Sequence, residues 1–278
     1  PATTYVKHRQ HQGGAGVDAA SLNDWLAGPR TTNLAILKHD NTEGGTWDFQ
    51  NGDLTIASNC SIEVNPAADL RNVRDVAMTA SEVLYRGSVV GGPAGKVILR
   101  GTNVEVKPAS TIVGKSVIVE GGNILYRGDV HDMGENVALC GDYVEMRPAS
   151  VMKASAIGMN ARTALVLRGD ILRAGSVVLR SGGTAETRPA NAIGSTSVPV
   201  GSVIMEVAGR LNLRGDLVAT SAQITAGSYE LFNNHYINVP VASGNPFPGS
   251  CWIKGTHITG SAGDSPTING TCKRGLIP

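Results

Sequence analysis

Residues 103–112, NVEVKPASTI, belong to a pattern that recurs along the chain. Related segments are SIEVNPAADL at 61–70, YVEMRPASVM at 143–152 and TAETRPANAI at 184–193. A second family alternates with the first: VLYRGSV at 83–89, ILYRGDV at 124–130, LVLRGDI at 165–171 and LNLRGDL at 211–217. The spacing within each family is close to 41 residues, apart from a longer last step in the second family. Together the two families place one strand about every 20 residues.

Apolar residues repeat with the same period of 20. One series is Val97, Val117, Val137, Ile157 and Val177, and a second follows two residues later at Leu99, Val119, Leu139, Met159 and Leu179. Alternation along a strand turns every second side chain inward, and a coil that returns every 20 residues stacks equivalent side chains on each other. We therefore predict an all-β, single-stack parallel β-helix (a β-solenoid), with Gly, Asn, Ser and Pro at its corners.

The composition agrees with short stacked strands. Hydrophobic residues make up 41% of the chain, but aromatic residues only 4%, and there are 35 glycines. A β-propeller is the main alternative, because 41 residues could form one four-stranded blade. The clean half-period favours the solenoid.

The two ends lack the repeat, so we predict three segments. They are an N-terminal arm with a capping helix at 1–44, the parallel β-helix at 45–227, and a C-terminal cap or partner-binding region at 228–278. Residues 17–28, VDAASLNDWLAG, have the pattern of a short amphipathic helix that could cover the first turn. Cys251 and Cys272 lie in the last segment, where a disulfide and free thiols both stay open.

A family resemblance starts at Gly44-Gly45-Thr46-Trp47 and continues in Leu54-Thr55-Ile56-Ala57-Ser58-Asn59. This stretch resembles the first turns of right-handed β-helix proteins of the pectate-lyase-like superfamily, which includes phage tailspikes. The resemblance implies a right-handed helix, a place in a virion or another extracellular assembly, and a homo-oligomer with a trimer favoured. The repeated Arg-Gly-Asp is similar to left-handed hexapeptide-repeat helices, but a 20-residue turn is longer than theirs.

A column of cations is the most distinctive polar feature. One cation occupies the same place in six successive turns: Arg86, Lys107, Arg127, Arg147, Arg168 and Arg188. Stacked cations about 5 Å apart repel by about 1 kcal/mol or more per pair. Glu63, Glu105, Glu145 and Glu186 stand two residues earlier in alternate turns, with Leu84, Leu125 and Val166 in the turns between. We consider three readings: a self-neutralising surface ladder, a contact face for another subunit, and a site for an anionic ligand such as a glycan.

The sequence gives little support for catalysis. Asp129, Asp170 and Glu145 are weak candidates for a polysaccharide-cleaving pair, because acids two turns apart have roughly the carboxyl separation of inverting glycosidases. However, each of them belongs to the repeat, whereas an active site usually interrupts one. The three Arg-Gly-Asp tripeptides, at 127–129, 168–170 and 214–216, also fall at a repeated strand-to-corner junction, which disfavours integrin binding.

We expect a non-catalytic structural or adhesive component of a virion (tailspike, fibre or capsid-decorating type) or of another extracellular assembly. A polysaccharide-binding or polysaccharide-cleaving β-helix and a bacterial surface adhesin are the alternatives. The formal net charge of +1 and the lack of a long apolar run predict neither nucleic-acid binding nor membrane insertion. No cofactor or metal site is expected.

Overall fold

The computed structural model describes residues 3–6, 33–36, 45–66, 68–108, 110–127, 130–132, 134–189, 191–195, 197–231, 236–239, 251–257, 267–270 and 272–274. The capping helix predicted at 17–28 lies outside these residues, and so does much of the predicted C-terminal cap. None of the described residues forms a helix.

The described chain forms strands throughout. In chain order they are β1 Thr3–Val6, β2 Asn33–Ile36, β3 Gly45–Asp48, β4 Leu54–Ala57, β5 Ser61–Val64, β6 Ala68–Thr79, β7 Glu82–Tyr85, β8 Ser88–Val106, β9 Thr111–Val113, β10 Ser116–Tyr126, β11 Val130–Asp132, β12 Asn136–Met146, β13 Val151–Leu167, β14 Asp170–Ser181, β15 Thr184–Thr187, β16 Ala192–Ile193, β17 Val200–Leu213, β18 Asp216–Leu231, β19 Tyr236–Val239, β20 Cys251–His257, β21 Thr267–Gly270 and β22 Cys272–Arg274.

The strands build a parallel β-solenoid of about eight turns with about 20 residues per turn. This confirms the predicted fold class. The strand pairs described in β6–β8, β8–β10, β13–β14 and β14–β17 are all parallel, as coiling requires and as a meandering propeller blade would not allow. The chain divides into two compact units, Pro1–Cys140 and Gly141–Pro278, and the boundary falls within β12.

The core of the first unit consists of stacked identical positions. Val76, Val97 and Val117 lie in register on successive turns, and so do Met78, Leu99 and Val119. A second wall stacks Ile62, Val83, Val104 and Ile124, and beside it Val64, Tyr85, Val106 and Tyr126. These side chains are at most 1% exposed, so the 20-residue apolar period is the period of the core.

The second unit is built in the same way. Ile157, Val177, Val203 and Ala222 form one buried series, and Met159, Leu179, Met205, Ile224 and Ile253 form the next. On a second wall, Leu165, Ala185, Leu211 and Tyr229 stack in register. Thr187 is the one polar member of the neighbouring series Leu167, Thr187 and Leu213, and its hydroxyl accepts the backbone N–H groups of Arg214 and Gly215.

The longer last step of the repeat has a local cause. The turn that joins β16 to β17 contains residues 194–199, where Ser195 and Val198 exchange backbone hydrogen bonds of 3.0 and 3.1 Å. Gly194 begins this turn with φ +76°, and a Cβ at this position would lie 2.1 Å from the carbonyl oxygen of Val218. Only glycine fits both constraints. The insertion therefore lengthens one turn while β17 stays in register with β14.

Parallel pairing extends into both ends of the chain. β1 pairs with β2, and β2 pairs with β5. Beyond residue 228, β20 pairs with β18, β19 with β21, and β20 with β22, where the backbones of Cys251 and Cys272 are aligned. The segment boundaries predicted at residues 44 and 228 stay predictions.

Candidate functional site: the basic column and its glutamates

Each cation of the basic column (Arg86, Lys107, Arg127, Arg147, Arg168 and Arg188) directly follows a strand. The backbone N–H groups of five of them donate to carbonyls of the preceding turn, at 2.8 Å from Lys107 to Tyr85 and from Arg188 to Leu167; the five are Arg86, Lys107, Arg127, Arg168 and Arg188. The strand ladder therefore fixes where each cation leaves the surface. Arg214 follows β17 in the same way and continues the column. All seven side chains are partly exposed.

In the second unit, each glutamate of the column pairs with two cations on different turns. Oε1 of Glu145 lies 3.2 Å from Nε of Arg147 on its own turn and 3.2 Å from Nε of Arg168 on the next turn. Glu186 repeats the arrangement, with Oε2 at 3.1 Å from a terminal nitrogen of Arg188 and Oε1 at 3.6 Å from Nε of Arg214. One carboxylate thus links two turns.

The first unit contains the same arrangement around Glu105. Oε2 of Glu105 lies 2.7 Å from Nζ of Lys107, and Oε1 lies 3.7 Å from Nε of Arg127 on the following turn. The electrostatic repeat therefore spans two turns and corresponds to the 41-residue sequence period. A self-neutralising ladder was one of the three readings of the sequence, and the structure shows which carboxylate pairs with which cation.

Glu145 is the most enclosed of these acids. Its side chain is 3% exposed, and Oε2 accepts a 2.8 Å hydrogen bond from the hydroxyl of Tyr143. Partial burial and this hydrogen bond raise the pKa of Tyr143, in that order of size, so the phenol remains a donor to Glu145.

The apolar residues of the column separate the acids. Leu84 lies in register between Glu63 and Glu105, and Leu125 flanks Glu105 on the other side. In the second unit, Val166 occupies the position beside Glu186. Because the acids recur only on alternate turns, they stand about 10 Å apart and repel each other weakly. Leu84, Leu125 and Val166 are half-buried, so only part of each projects from this face.

The column turns a corner that alternates between two designs. Arg-Pro-Ala-Ser closes one turn, where the Ser150 hydroxyl bonds the carbonyl of Arg147 at 2.5 Å. Arg-Gly-Asp closes the next, and its Gly169 packs onto that serine: a Cβ on Gly169 would lie 2.2 Å from Oγ and 2.7 Å from the carbonyl oxygen of Ser150. This Arg-Gly-Asp is therefore a close-packed corner and not a protruding loop. Asn191 replaces the serine one repeat later and is likewise buried.

The structure describes two of the three catalytic candidates, Glu145 and Asp170, and both have partners within the chain. Glu145 is held by two arginines and a tyrosine. Asp170 begins β14 beyond the corner, and its Oδ1 accepts the N–H of Ala192 at 2.8 Å. Asp129 lies outside the described residues, so its predicted separation from Asp170 stays a prediction. Among the described residues, neither Glu145 nor Asp170 faces a second acid across an open groove.

A shallow depression that the sequence did not predict lies on another face of the second unit. It has a volume of about 490 Å³ and is lined by Arg180, Ser181, Gly182, Glu206, Val207, Ala208 and Thr225. Nε of Arg180 lies 2.6 Å from Oε2 of Glu206, which is in register with it on the next turn. The corner beside this depression is one residue longer than its counterpart in the first unit. Ala185 follows Ser181 by four positions, whereas Ile124 follows Gly121 by three. The sequence signal was the spacing between the two apolar series, which is five residues from Val119 to Ile124 but six from Leu179 to Ala185.

Within the described ranges, no group of three or more His, Cys, Asp or Glu side chains is arranged to hold a metal ion. The same part of the chain contains no helix of the length and hydrophobicity needed to cross a membrane. No protein-family model, no curated protein and no solved structure matches this chain. The class of protein that fold and surface define is a parallel β-solenoid with a two-turn ionic repeat.

Proposed function

We propose that this protein is a non-catalytic structural or adhesive solenoid that works as a homo-oligomer in a virion or another extracellular assembly. The main support is the use made of its acids. Glu105, Glu145 and Glu186 each form ion pairs with cations on two turns, so these carboxylates bind other residues of the same chain. A general acid or base would need a carboxyl group that can reach a substrate proton.

The phage-tailspike type is the finer form of this proposal. The Gly44-Gly45-Thr46-Trp47 start motif supports it, together with the β-solenoid fold. Around a threefold axis, the same outward face of three identical chains can converge on the axis, where each chain makes heterologous contacts with its two neighbours. We expect a trimer, with Leu84, Leu125, Val166 and the basic column at the contact.

A polysaccharide-cleaving enzyme is the second candidate, and its support is the repeated placement of acids on one side of a β-helix. The burial of Glu145 and the backbone hydrogen bond of Asp170 argue against it. Incubation with acidic and neutral polysaccharides, followed by a reducing-end assay, would reveal such an activity. Release of sugar that is lost in Asp170→Asn would replace the structural proposal with the enzymatic one.

The test of assembly is the native mass by light scattering. Leu84→Lys combined with Val166→Lys puts a cation beside glutamates that lie in register, so the fold should accept both changes. Val113→Lys combined with Val198→Lys is the matched control, since these are the large hydrophobic residues most exposed among those described.

We expect a wild-type oligomer, dissociation in the Leu84/Val166 variant, and the wild-type mass in the control. A wild-type monomer at all concentrations would contradict the assembly proposal. Dissociation in the control alone would move the contact to another face.

A further inference from the structure

A row of outward aliphatic side chains lies on the wall that precedes the basic column along each turn. The aliphatic row consists of Ile98 and Ile118 in the first unit and of Val178 and Ile204 in the second, and the two members in each unit lie in register on neighbouring turns. Val117 and Val119 flank Ile118 and are fully buried, so alternation turns Ile118 outward. All four side chains of the row are half-buried. Aliphatic residues in register on an outward face indicate a surface that a partner covers.

The aliphatic row and the basic column lie on either side of one edge. In the first unit both faces include part of β10, which carries Ile118 before the edge and Leu125 after it. Gly121 and Gly122 form the edge, where backbone carbonyls of the preceding turn leave no room for a side chain. Ile118 stands three residues before Gly121, and Leu125 stands three residues after Gly122. The two aliphatic side chains therefore lie about equally far from the edge.

Equal distance from the edge determines which residues meet in a trimer. When the same edge of three chains points to a threefold axis, the wall before the edge in one chain packs on the wall after the edge in its neighbour. Ile118 of one chain then lies opposite Leu125 of the next. In the second unit, Val178 lies one turn, about 4.8 Å, from the level of the neighbour's Val166. The contact therefore buries aliphatic side chains of both walls.

The same arrangement places neutral hydroxyl groups opposite column cations. Ser116 stands five residues before Gly121, and Arg127 stands five residues after Gly122. A serine oxygen can accept a hydrogen bond from an arginine, so these two side chains suit each other. Serine recurs at this outward position, two residues before the aliphatic row, as Ser176 and Ser202.

Two of the described turns of the first unit carry a charge at the position of Ser116. Asp75 lies opposite the neighbour's Arg86, so opposite charges meet there. Lys96 lies opposite the neighbour's Lys107, whose charge is offset by Glu105, with 2.7 Å between Oε2 and Nζ. The charges of these two turns therefore largely balance across the contact.

The wall on the other side of the basic column is less suited to this contact. Its outward positions in the second unit include Val151, Asp170, Ala192 and Asp216, where carboxylates alternate with apolar residues. We infer that the aliphatic row is the second half of the subunit contact and packs against the basic column of a neighbouring copy of this chain. This inference rests on the proposed function, since it names the surface that the basic column meets.

The test is complementation between two variants of the full chain, followed by light scattering. The column variant is Leu84→Lys with Val166→Lys, and the row variant is Ile118→Lys with Ile204→Lys. Each variant keeps only one half of the contact, so each alone should have the mass of one chain. Mixed in equal amounts, they should form a complex with the mass of two chains, because the intact row of the column variant can pack on the intact column of the row variant. The mixture is measured at about 100-fold the concentration at which the wild type assembles, since a single contact lacks the avidity of a closed ring.

Two further variants separate this contact from a folding defect. Ile118→Thr with Ile204→Thr keeps the β-branched shape and removes apolar surface, so it should fold and raise the concentration of half-dissociation by about tenfold. Val113→Lys with Val198→Lys adds the same charges at more exposed positions and should keep the wild-type mass. Circular dichroism shows whether each variant is folded.

The possible failures point to different conclusions. An unchanged half-dissociation concentration in the threonine variant would overturn the inference, and so would two folded lysine variants that stay single chains when mixed. In both cases a wild-type oligomer would still support the proposed assembly, with its second surface on another wall. A wild-type monomer would instead contradict the proposed assembly itself, and the contact of the aliphatic row with it.

Discussion

Two tyrosines show how the position of a residue sets its contribution. The hydroxyl of Tyr85 points into the core of the first unit and has no hydrogen-bond partner among the described residues. The hydroxyl of Tyr143 lies on the column and donates to Glu145. A buried hydroxyl without a partner costs stability, whereas a hydrogen bond to a carboxylate adds to it.

We therefore expect opposite results from the same chemical change. Tyr85→Phe should raise the free energy of unfolding by about 1 kcal/mol, and Tyr143→Phe should lower it by about 1 kcal/mol. Urea-unfolding midpoints measure both. A loss of stability in Tyr85→Phe would show that its hydroxyl has a partner in solution.

The stability of the protein at alkaline pH should also depend on the burial of the Tyr85 phenol. Burial, and to a smaller extent the charge of Asp69, raises the pKa of Tyr85 well above its ordinary value. Because the folded pKa exceeds the unfolded value near 10, the stabilisation is complete below about pH 10 and is lost as pH rises further. The wild type should therefore lose stability more steeply above pH 10 than Tyr85→Phe does. Parallel curves for the two proteins would contradict the burial of this phenol.

At the scale of the element, the corner at Gly169 packs against the preceding turn so closely that no side chain fits at this position. Gly169→Ala would put a Cβ 2.7 Å from the carbonyl oxygen of Ser150 and 2.8 Å from that of Arg147. We expect a loss of about 2 kcal/mol or more, because both neighbours are backbone atoms. Gly114→Ala is the control, since its nearest neighbour would be the carbonyl oxygen of Gly95 at 3.3 Å. Equal urea-unfolding midpoints for the two variants would show that the backbone at this corner moves to accommodate the Cβ.

The sequence indicated the strands better than the corners. The inward series containing Val97 and Val117 follows from apolar periodicity, because a buried position on one turn demands an apolar residue on the next. The roles of Ser150 and Gly169 could not be read in this way. They depend on a contact between turns that differ in sequence, and no periodic rule places a serine hydroxyl under a glycine.

At the scale of the whole molecule, the candidate site was only partly predictable. The sequence placed the arginines and glutamates on one face, since strand alternation determines that. It did not show that Glu145 is buried or that one carboxylate bridges two turns, because side-chain conformations decide both. The depression beside Arg180 and Glu206 was missed, because one extra residue in a corner shifts the surface without changing the core series.

The central claim is that glutamates of alternate turns join neighbouring turns and are structural residues. The most direct measurement is the coupling free energy between Glu145 and Arg168, from a double-mutant cycle of Glu145→Gln and Arg168→Gln by urea unfolding. We predict a coupling of about 1 kcal/mol or more, since Glu145 is almost fully enclosed. The same cycle on the exposed pair Arg180 and Glu206 should give about 0.5 kcal/mol or less. A coupling near zero for Glu145 and Arg168 would contradict the claim.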